Sequence, residues 1–218
     1  EEEISIFQNL LISIYGLTPS GIRPEGTIAV GSRNQNLIST ATAFSLIGKD
    51  WSDSMEFANQ AFENTDNMKR EEFNDATSAR SLLPGAKEFL EKLFQANIKC
   101  ALISNDNNEG IITFLTMNKI DQFIHSYWSA EDKPGKPDPK AVYGICKKLG
   151  LNPSDCALIG DANADLIMAK RAKVGILLGY IAGWSNPPKL ADYQYLISHW
   201  EQISIEPSFT VEPYLDKK

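Results

Sequence analysis

Residues 158–165 read Leu-Ile-Gly-Asp-Ala-Asn-Ala-Asp, and this stretch decides the fold class. An apolar run that is typical of a buried strand ends at Asp161, and Asp165 falls in the first turn of the helical pattern that follows. Two carboxylates at one strand end repel each other unless a cation lies between them, and hard oxygen ligands of this kind suit Mg²⁺. Alternatively, both aspartates cap the helix and interact with its dipole. Asp161 stands too early in the sequence to be the natural cap.

Strands and helices alternate on both sides of this stretch. Parallel strands need crossover connections, which are usually helices, so the alternation predicts an α/β fold with a parallel, Rossmann-like sheet covered on both faces. The predicted strands are 98–103, 123–128, 156–159, 174–178 and 193–197. The predicted helices begin near residues 84, 139 and 165, and a further helix contains residues 111–117.

The first 80 residues lack this alternation and contain helical patterns without a strand pattern. Apolar stripes indicate helices near 4–14, near 37–46 and after Asp50. The stretch 19–31 is rich in Gly and Pro and is predicted as a loop, and polar 64–77 is predicted as a linker. We therefore divide the chain into an α-helical unit, an α/β core and a C-terminal tail, at residues 1–80, 81–203 and 204–218 respectively.

The composition excludes several classes of protein. The chain has 218 residues, 43% of them hydrophobic, and a formal net charge of −7. This acidic balance argues against binding to nucleic acid or to an anionic membrane surface. The longest apolar stretches are far shorter than the roughly 18 residues of a membrane helix. Three cysteines without a Cys-x-x-Cys spacing favour reduced thiols and a cytoplasmic protein.

Two further polar segments follow predicted strands, where ligands bind in open parallel sheets. At Ser104 and Asn105 a strand gives way to a helix, and a hydroxyl with free main-chain N–H groups there forms an anion site. The same residues could serve only as a turn that caps the helix. Lys136 lies in the stretch 135–139, whose prolines fix the backbone so that the ammonium group can face a phosphate. Lys133 is an alternative for this role, and either lysine could simply be solvated.

Taken in order, the three segments resemble the motifs of the haloacid dehalogenase superfamily, and especially of its phosphoglycolate-phosphatase-like members. The second motif of that family is a Ser or Thr at a strand end, which Ser104 matches. The third is a Lys before Pro-Asp-Pro, which Lys136 matches. The fourth is Gly-Asp with a second Asp four residues later, which Asp161 and Asp165 match. The resemblance covers residues 82 to about 203.

This resemblance implies a Mg²⁺-dependent phosphomonoesterase that acts on a small phosphorylated metabolite. It implies that Ser104 and the amide of Asn105 hold phosphoryl oxygens and that Lys136 neutralises charge on the phosphate. It further implies that Asp161 binds Mg²⁺. Asp165 would bind the ion through water or orient the lysine.

Phosphoglycolate-phosphatase-like members carry a helical cap inserted after their first strand, and residues 1–79 resemble that cap in size and character. In the loop 31–34, Arg33 is the cap residue that we expect to contact substrate. A solvated surface arginine is the other interpretation of Arg33.

The first motif of the family, an apolar strand followed by Asp-x-Asp, does not occur in this sequence. In the family its first Asp attacks phosphorus and its second is the general acid and base. The motif precedes the first cap helix, and this chain begins at Glu1 rather than at Met, so we expect the motif and its strand upstream of Glu1. Without that strand, the sheet should have a gap between the strands that end at Ser104 and Asp161, rather than a direct pairing.

Two other functions are compatible with the same residues. A family member without the nucleophile could bind phosphate or Mg²⁺ without turnover, and an Asp-x-Asp segment upstream would argue against this. A member with a different reaction is the second alternative, since the family also includes phosphomutases and dehalogenases. Product analysis with a hexose phosphate would distinguish a mutase from a hydrolase. The Asp161/Asp165 pair favours phosphate chemistry, because dehalogenation in the family needs no Mg²⁺.

Overall fold

The computed structural model describes residues 2–72 and 81–206, which form two regions of different secondary structure. Residues 2–72 are called the helical region and residues 81–206 the α/β region. None of the helices described in either region is long and apolar enough to cross a membrane. The predicted linker beyond residue 72 and the predicted tail beyond residue 206 lie outside the described residues.

The helical region consists of helices and one short antiparallel hairpin. The hairpin strands pair Leu17 with Ile22 and Thr18 with Gly21. In chain order the elements are α1 (Glu2–Tyr15), β1 (Leu17–Thr18), β2 (Gly21–Ile22), α2 (Thr27–Val30), α3 (Arg33–Leu46) and α4 (Trp51–Glu72).

Two sequence-based predictions for this region are wrong. The polar stretch that was expected to be a linker is helical as far as Glu72, because α4 contains no Gly or Pro after Trp51 that would end it. The Gly/Pro-rich stretch 19–31 contains β2 and α2 rather than loop alone. These elements have two and four residues, which is too short for periodicity to reveal them.

Helices α3 and α4 pack against each other through small residues, and a capping box defines the start of α3. Ala41 and Ala58 are fully buried, and Phe62 packs against the same cluster. A capping box begins α3: the Ser32 hydroxyl accepts a hydrogen bond from the Gln35 main-chain N–H at 3.3 Å, and the Gln35 side chain accepts one from the Ser32 N–H at 2.7 Å. The cap leaves Arg33 as the first residue of the helix.

The α/β region confirms the predicted fold class, a Rossmann-like α/β fold with parallel strands. Strand β3 pairs with β4, and β6 pairs with both β5 and β7, all in parallel. The elements are α5 (Ala86–Gln95), β3 (Cys100–Ile103), α6 (Asn108–Met117), β4 (Ile124–Trp128), α7 (Lys140–Leu149), β5 (Ala157–Gly160), α8 (Asn163–Arg171), β6 (Ile176–Tyr180) and β7 (Tyr195–Ile197).

One helix layer packs against both groups of strands. Buried residues of α7 and α8, including Val142 and Leu166, contact Ile103 from β3 and Leu158 from β5 in a single cluster. Within the described residues β3 and β5 are nevertheless not hydrogen-bonded to each other. This arrangement agrees with the predicted gap and brings the carboxyl ends of both strands to one edge of the molecule.

Candidate active site

All six residues predicted from the sequence line one pocket at the carboxyl ends of β3 and β5. The pocket has a volume of about 410 Å³, and residues of α2 and of the loop before α3 also line it. The six residues are Arg33, Ser104, Asn105, Lys136, Asp161 and Asp165.

The end of β5 places the two aspartates without using either as a helix cap. The N-cap of α8 is Ala162, and no side chain forms a capping hydrogen bond there. A side chain at position 160 would meet the Cβ of Asp165 at 2.5 Å, so Gly160 allows α8 to approach the strand end. The interpretation that both aspartates merely cap the helix therefore does not describe this site.

Lys136 and Asp165 form a largely buried ion pair. The Lys136 Nζ lies 2.8 Å from Asp165 Oδ1, and the two side chains are only 14% and 11% exposed. Lys133 instead donates from its Nζ to the carbonyl of Ala130, at 2.8 Å, and is not among the residues that line the pocket. Of the two lysines that the sequence offered, the structure brings Lys136 into the site.

Asp161 has a hydrogen-bond partner that the sequence did not reveal. The indole Nε1–H of Trp184 donates to Asp161 Oδ2 at 3.1 Å. Trp184 follows Gly183, whose φ of +84° makes the chain turn after β6. The loop 181–188 has no periodicity that would place it at the site, so its connection to Asp161 appears only in the structure.

Ser104 and Asn105 at the end of β3 have distinct contacts. The Ser104 hydroxyl accepts a hydrogen bond from the main-chain N–H of Asp106 at 3.1 Å, whereas α6 is capped by Asn107. The side-chain amide of Asn105 donates to the carbonyl of Val30 at 2.7 Å. Ser104 is therefore not the cap of α6, and Asn105 joins the α/β region to the helical region.

Arg33 is held by two residues of α4. Its guanidinium Nη2 lies 2.6 Å from Asp66 Oδ2, and its Cζ lies 5.2 Å from the centre of the Phe62 ring. Phe62 and Asp66 are four residues apart and share one face of α4. Both partners escaped the sequence analysis. Asp66 lies in the stretch expected to be a linker, and Phe62 lies in the helix predicted after Asp50, where nothing in the sequence indicated a contact with Arg33.

The described carboxylates of this pocket could supply only some of the ligands of a Mg²⁺ ion. The residues that the structure describes contain no group of three His, Cys, Asp or Glu side chains that could hold a metal ion. Mg²⁺ is commonly held by one or two carboxylates together with water and substrate phosphate oxygens. Asp161 suits the role of one such carboxylate, whereas the charge of Asp165 is compensated by Lys136.

The fold and the polar strand ends define a class of α/β proteins that bind ligands at the sheet edge. A structure of this class, a predicted phosphoglycolate phosphatase from Haemophilus somnus, superposes with a TM-score of 0.65 and 18% identity over 91% of this chain and 90% of that one. At this level of identity the superposition establishes the fold alone.

The sequence itself narrows the class to a family. The model of the haloacid dehalogenase-like hydrolases matches residues 32–178, more than half of the chain, so the chain belongs to that family. A phosphoglycolate phosphatase from Vibrio parahaemolyticus is 31% identical over 160 residues, which cover 67% of this chain and 70% of that protein. The (S)-2-haloacid dehalogenase 4A of Burkholderia cepacia is 36% identical over 110 residues, covering 50% of this chain and 47% of the dehalogenase.

Proposed function

We propose that the whole protein is a Mg²⁺-dependent phosphomonoester hydrolase that acts on a small phosphorylated metabolite in the cytoplasm. The observation that carries this proposal is the single pocket in which Ser104, Lys136 and Asp161 meet. A hydroxyl donor, a largely buried cation and a carboxylate near the ends of parallel strands suit an anionic substrate that binds together with a metal ion. The free state of all three described cysteines supports a reducing compartment.

Ser104 and Asn105 would bind the phosphoryl group. The Ser104 hydroxyl donates to one phosphoryl oxygen and the Asn105 main-chain N–H to another. Lys136 places a positive charge beside them, and its pairing with Asp165 fixes the position of the ammonium group. These residues thus supply positioning and electrostatic stabilisation, which dominate the catalysis of phosphoryl transfer.

Asp161 would be the metal ligand that this chain provides. When bound, Mg²⁺ neutralises negative charge on the phosphoryl oxygens. The nucleophile is expected from the Asp-x-Asp motif that the family carries before its cap. By that resemblance, an aspartyl-phosphate forms and is then hydrolysed by water.

The helical region would serve as the cap. Val30 and Arg33 line the pocket together with the strand ends, and the Asn105–Val30 hydrogen bond holds the helical region beside them. A cap in this position excludes water from the reacting groups and contacts the part of the substrate beyond the phosphate.

Phosphate release from a panel of small phosphate esters, measured with the whole protein, tests the proposal. We expect turnover with Mg²⁺ and none after chelation with EDTA, with activity restored by excess Mg²⁺. Binding of inorganic phosphate without turnover of any ester would favour the non-catalytic alternative. A hexose phosphate whose phosphate migrates rather than being released would identify a mutase.

A further inference from the structure

A second cleft adjoins the candidate active site. This lateral cleft has a volume of about 730 Å³ and lies between α4 and α6. Ile28, Arg33 and Asp106 line both the lateral cleft and the pocket, so the two spaces adjoin each other. A space of this size is typical of sites for whole organic ligands and far exceeds what a two-carbon acid fills.

The charges along the lateral cleft are mainly negative. Asp66, Asp106 and Glu109 line it, whereas Arg33 is the cation among the described lining residues. Arg33 is already paired with Asp66, and the neighbouring Lys136 is paired with Asp165. A second anionic group on a substrate would therefore meet carboxylates, because Arg33 already has an anionic partner and Lys136 is assigned to the phosphoryl group.

The remaining walls are suited to an uncharged group with some apolar surface. Ile28, Phe62, Phe114 and Met117 contribute apolar side chains, and Thr65 and Thr113 contribute hydroxyl groups. Phe62 also lies under the Arg33 guanidinium, which keeps that group against α4. The lining thus offers apolar contact and neutral hydrogen-bonding groups.

Building on the proposed function, we propose that the lateral cleft holds the leaving group of the phosphate ester. We further propose that Asp66 makes the cleft select a leaving group without a negative charge. By holding Arg33, Asp66 removes the cation that would otherwise attract a carboxylate. The protein therefore selects esters with an uncharged, hydroxyl-bearing leaving group over esters that carry a carboxylate. Asp66 acts through Arg33 and is a specificity-determining residue rather than a catalytic one.

Two substrates of matched size test this selection with the whole protein. Glycerol 3-phosphate and 3-phosphoglycerate have the same carbon skeleton and phosphate position. The first has a hydroxymethyl group where the second has a carboxylate. We expect kcat/KM to be at least about tenfold higher for glycerol 3-phosphate, the ratio that corresponds to one unfavourable charge contact. Asp66→Asn should lower this ratio about tenfold, mainly through a lower KM for 3-phosphoglycerate.

Two further variants show whether the effect passes through Arg33. Asp53→Asn removes the same charge from an exposed position at the start of α4 and should leave the ratio unchanged. In an Arg33→Gln background, Asp66→Asn should improve the use of 3-phosphoglycerate less than it does when Arg33 is present, because only the direct repulsion by Asp66 is then relieved. Arg33 and Asp66 are 49% and 47% exposed, so these variants should fold, which thermal unfolding checks.

The outcomes separate this inference from the proposed function. Hydrolysis of both esters with equal kcat/KM, or a preference for 3-phosphoglycerate, overturns the charge selection and leaves the phosphatase proposal standing. An unchanged ratio in Asp66→Asn, or a full effect of that change in the Arg33→Gln background, overturns the role of Asp66. Failure to hydrolyse any phosphate ester overturns both proposals.

Discussion

The two aspartates that follow β5 differ in what balances their charge. Asp165 is paired with a cation, Lys136, at 2.8 Å, and both side chains are largely buried. Asp161 accepts a hydrogen bond from a neutral group, the Trp184 indole, at 3.1 Å. A neutral donor orients a carboxylate without cancelling its charge, so Asp161 keeps the negative charge that a divalent cation needs. Two aspartates only four positions apart therefore have different roles: Asp161 is suited to bind a metal ion, and Asp165 positions Lys136.

Asp161→Asn should abolish most of the activity of the whole protein and leave its stability nearly unchanged. Loss of a metal-binding carboxylate removes several kcal/mol of transition-state stabilisation, which corresponds to at least about a hundredfold in kcat. Asparagine retains an oxygen that can accept from Trp184, so the free energy of unfolding should change by less than about 1 kcal/mol. Phosphate release and urea unfolding measure the two effects.

Asp121→Asn is the matched control for that variant, because Asp121 is exposed and lies before β4, away from the carboxyl ends of the strands. It should change neither activity nor stability. A rate of Asp161→Asn equal to that of the unchanged protein at saturating Mg²⁺ would show that Asp161 is not a metal ligand.

Lys136→Met should lower both turnover and stability. The substitution removes the cation from the pocket and leaves Asp165 buried without its partner. Breaking one side of a buried ion pair typically costs about 3–5 kcal/mol. Chemical unfolding, together with phosphate release at a temperature where the variant is folded, measures the two losses separately.

Two comparisons isolate the role of the charge. Lys133→Met should be active and stable, because the Lys133 ammonium bonds to a main-chain carbonyl of its own loop. The double variant Lys136→Met/Asp165→Leu should recover much of the stability without recovering activity, because no unpaired charge is left in the protein interior. Equal activity losses in Lys133→Met and Lys136→Met would contradict the assignment of Lys136.

At the scale of helices and strands, the α/β region was predictable because its elements are long enough to show a pattern. Each predicted strand overlaps an observed one, and the residues following β3 and β5 were identified by the rule that ligands bind at strand carboxyl ends. The hairpin and α2 were missed because they are only a few residues long. Side-chain partners such as Trp184 were missed because tertiary packing, not local sequence, brings them to the site.

The contact between Cys146 of α7 and Cys156, the residue before β5, predicts how the stability of the protein depends on pH. Cys146 is 5% exposed, and its Sγ lies 3.9 Å from that of Cys156. Burial, with a smaller contribution from the neighbouring thiol, raises the pKa of Cys146 to about 11 from an ordinary value of 9.0. In the unfolded chain this thiol loses its proton near pH 9, so the folded state binds more protons between pH 9 and 11.

The Cys146 contribution to stability is therefore complete below pH 9 and is lost as the pH rises toward 11. We expect the difference in unfolding free energy between the unchanged protein and Cys146→Ala to shrink across this interval. Urea unfolding at pH 8, 9, 10 and 11 measures it, and titrating groups that do not interact with Cys146 cancel in the difference. A difference that stays constant from pH 8 to 11 would mean that the Cys146 pKa is not raised.

At the scale of the whole molecule, side-chain hydrogen bonds between described residues join the helical region to the α/β region. Asn105 donates to the carbonyl of Val30, and the Ser185 hydroxyl donates to the carbonyl of Ser20 at 2.6 Å. Ser185 directly follows Trp184, which contacts Asp161. Both sides of the pocket are therefore connected to the helical region.

The division of the strands into two groups predicts that a further strand lies between them. In the described part of the chain, β3 pairs only with β4, and β5 only with β6, while α7 and α8 pack against both groups. Each unpaired buried backbone group costs roughly 1–3 kcal/mol, and a native domain has only about 5–15 kcal/mol of stability. We therefore expect one additional strand to pair with both β3 and β5 in the whole protein.

Hydrogen exchange measures this pairing directly. Main-chain amides of β3 and β5 should exchange slowly in the whole protein and much faster in the 218-residue chain alone, whereas amides of β6, which has strands on both sides, should differ less. A dimer of the 218-residue chain with protected β3 and β5 amides would mean that a second copy pairs with these strands. Protection of these amides in a monomer of that chain, with β3 hydrogen-bonded to β5, would contradict the expected strand. No space for the Asp-x-Asp strand would then separate Ser104 from Asp161. That result would favour a closed sheet without the nucleophile.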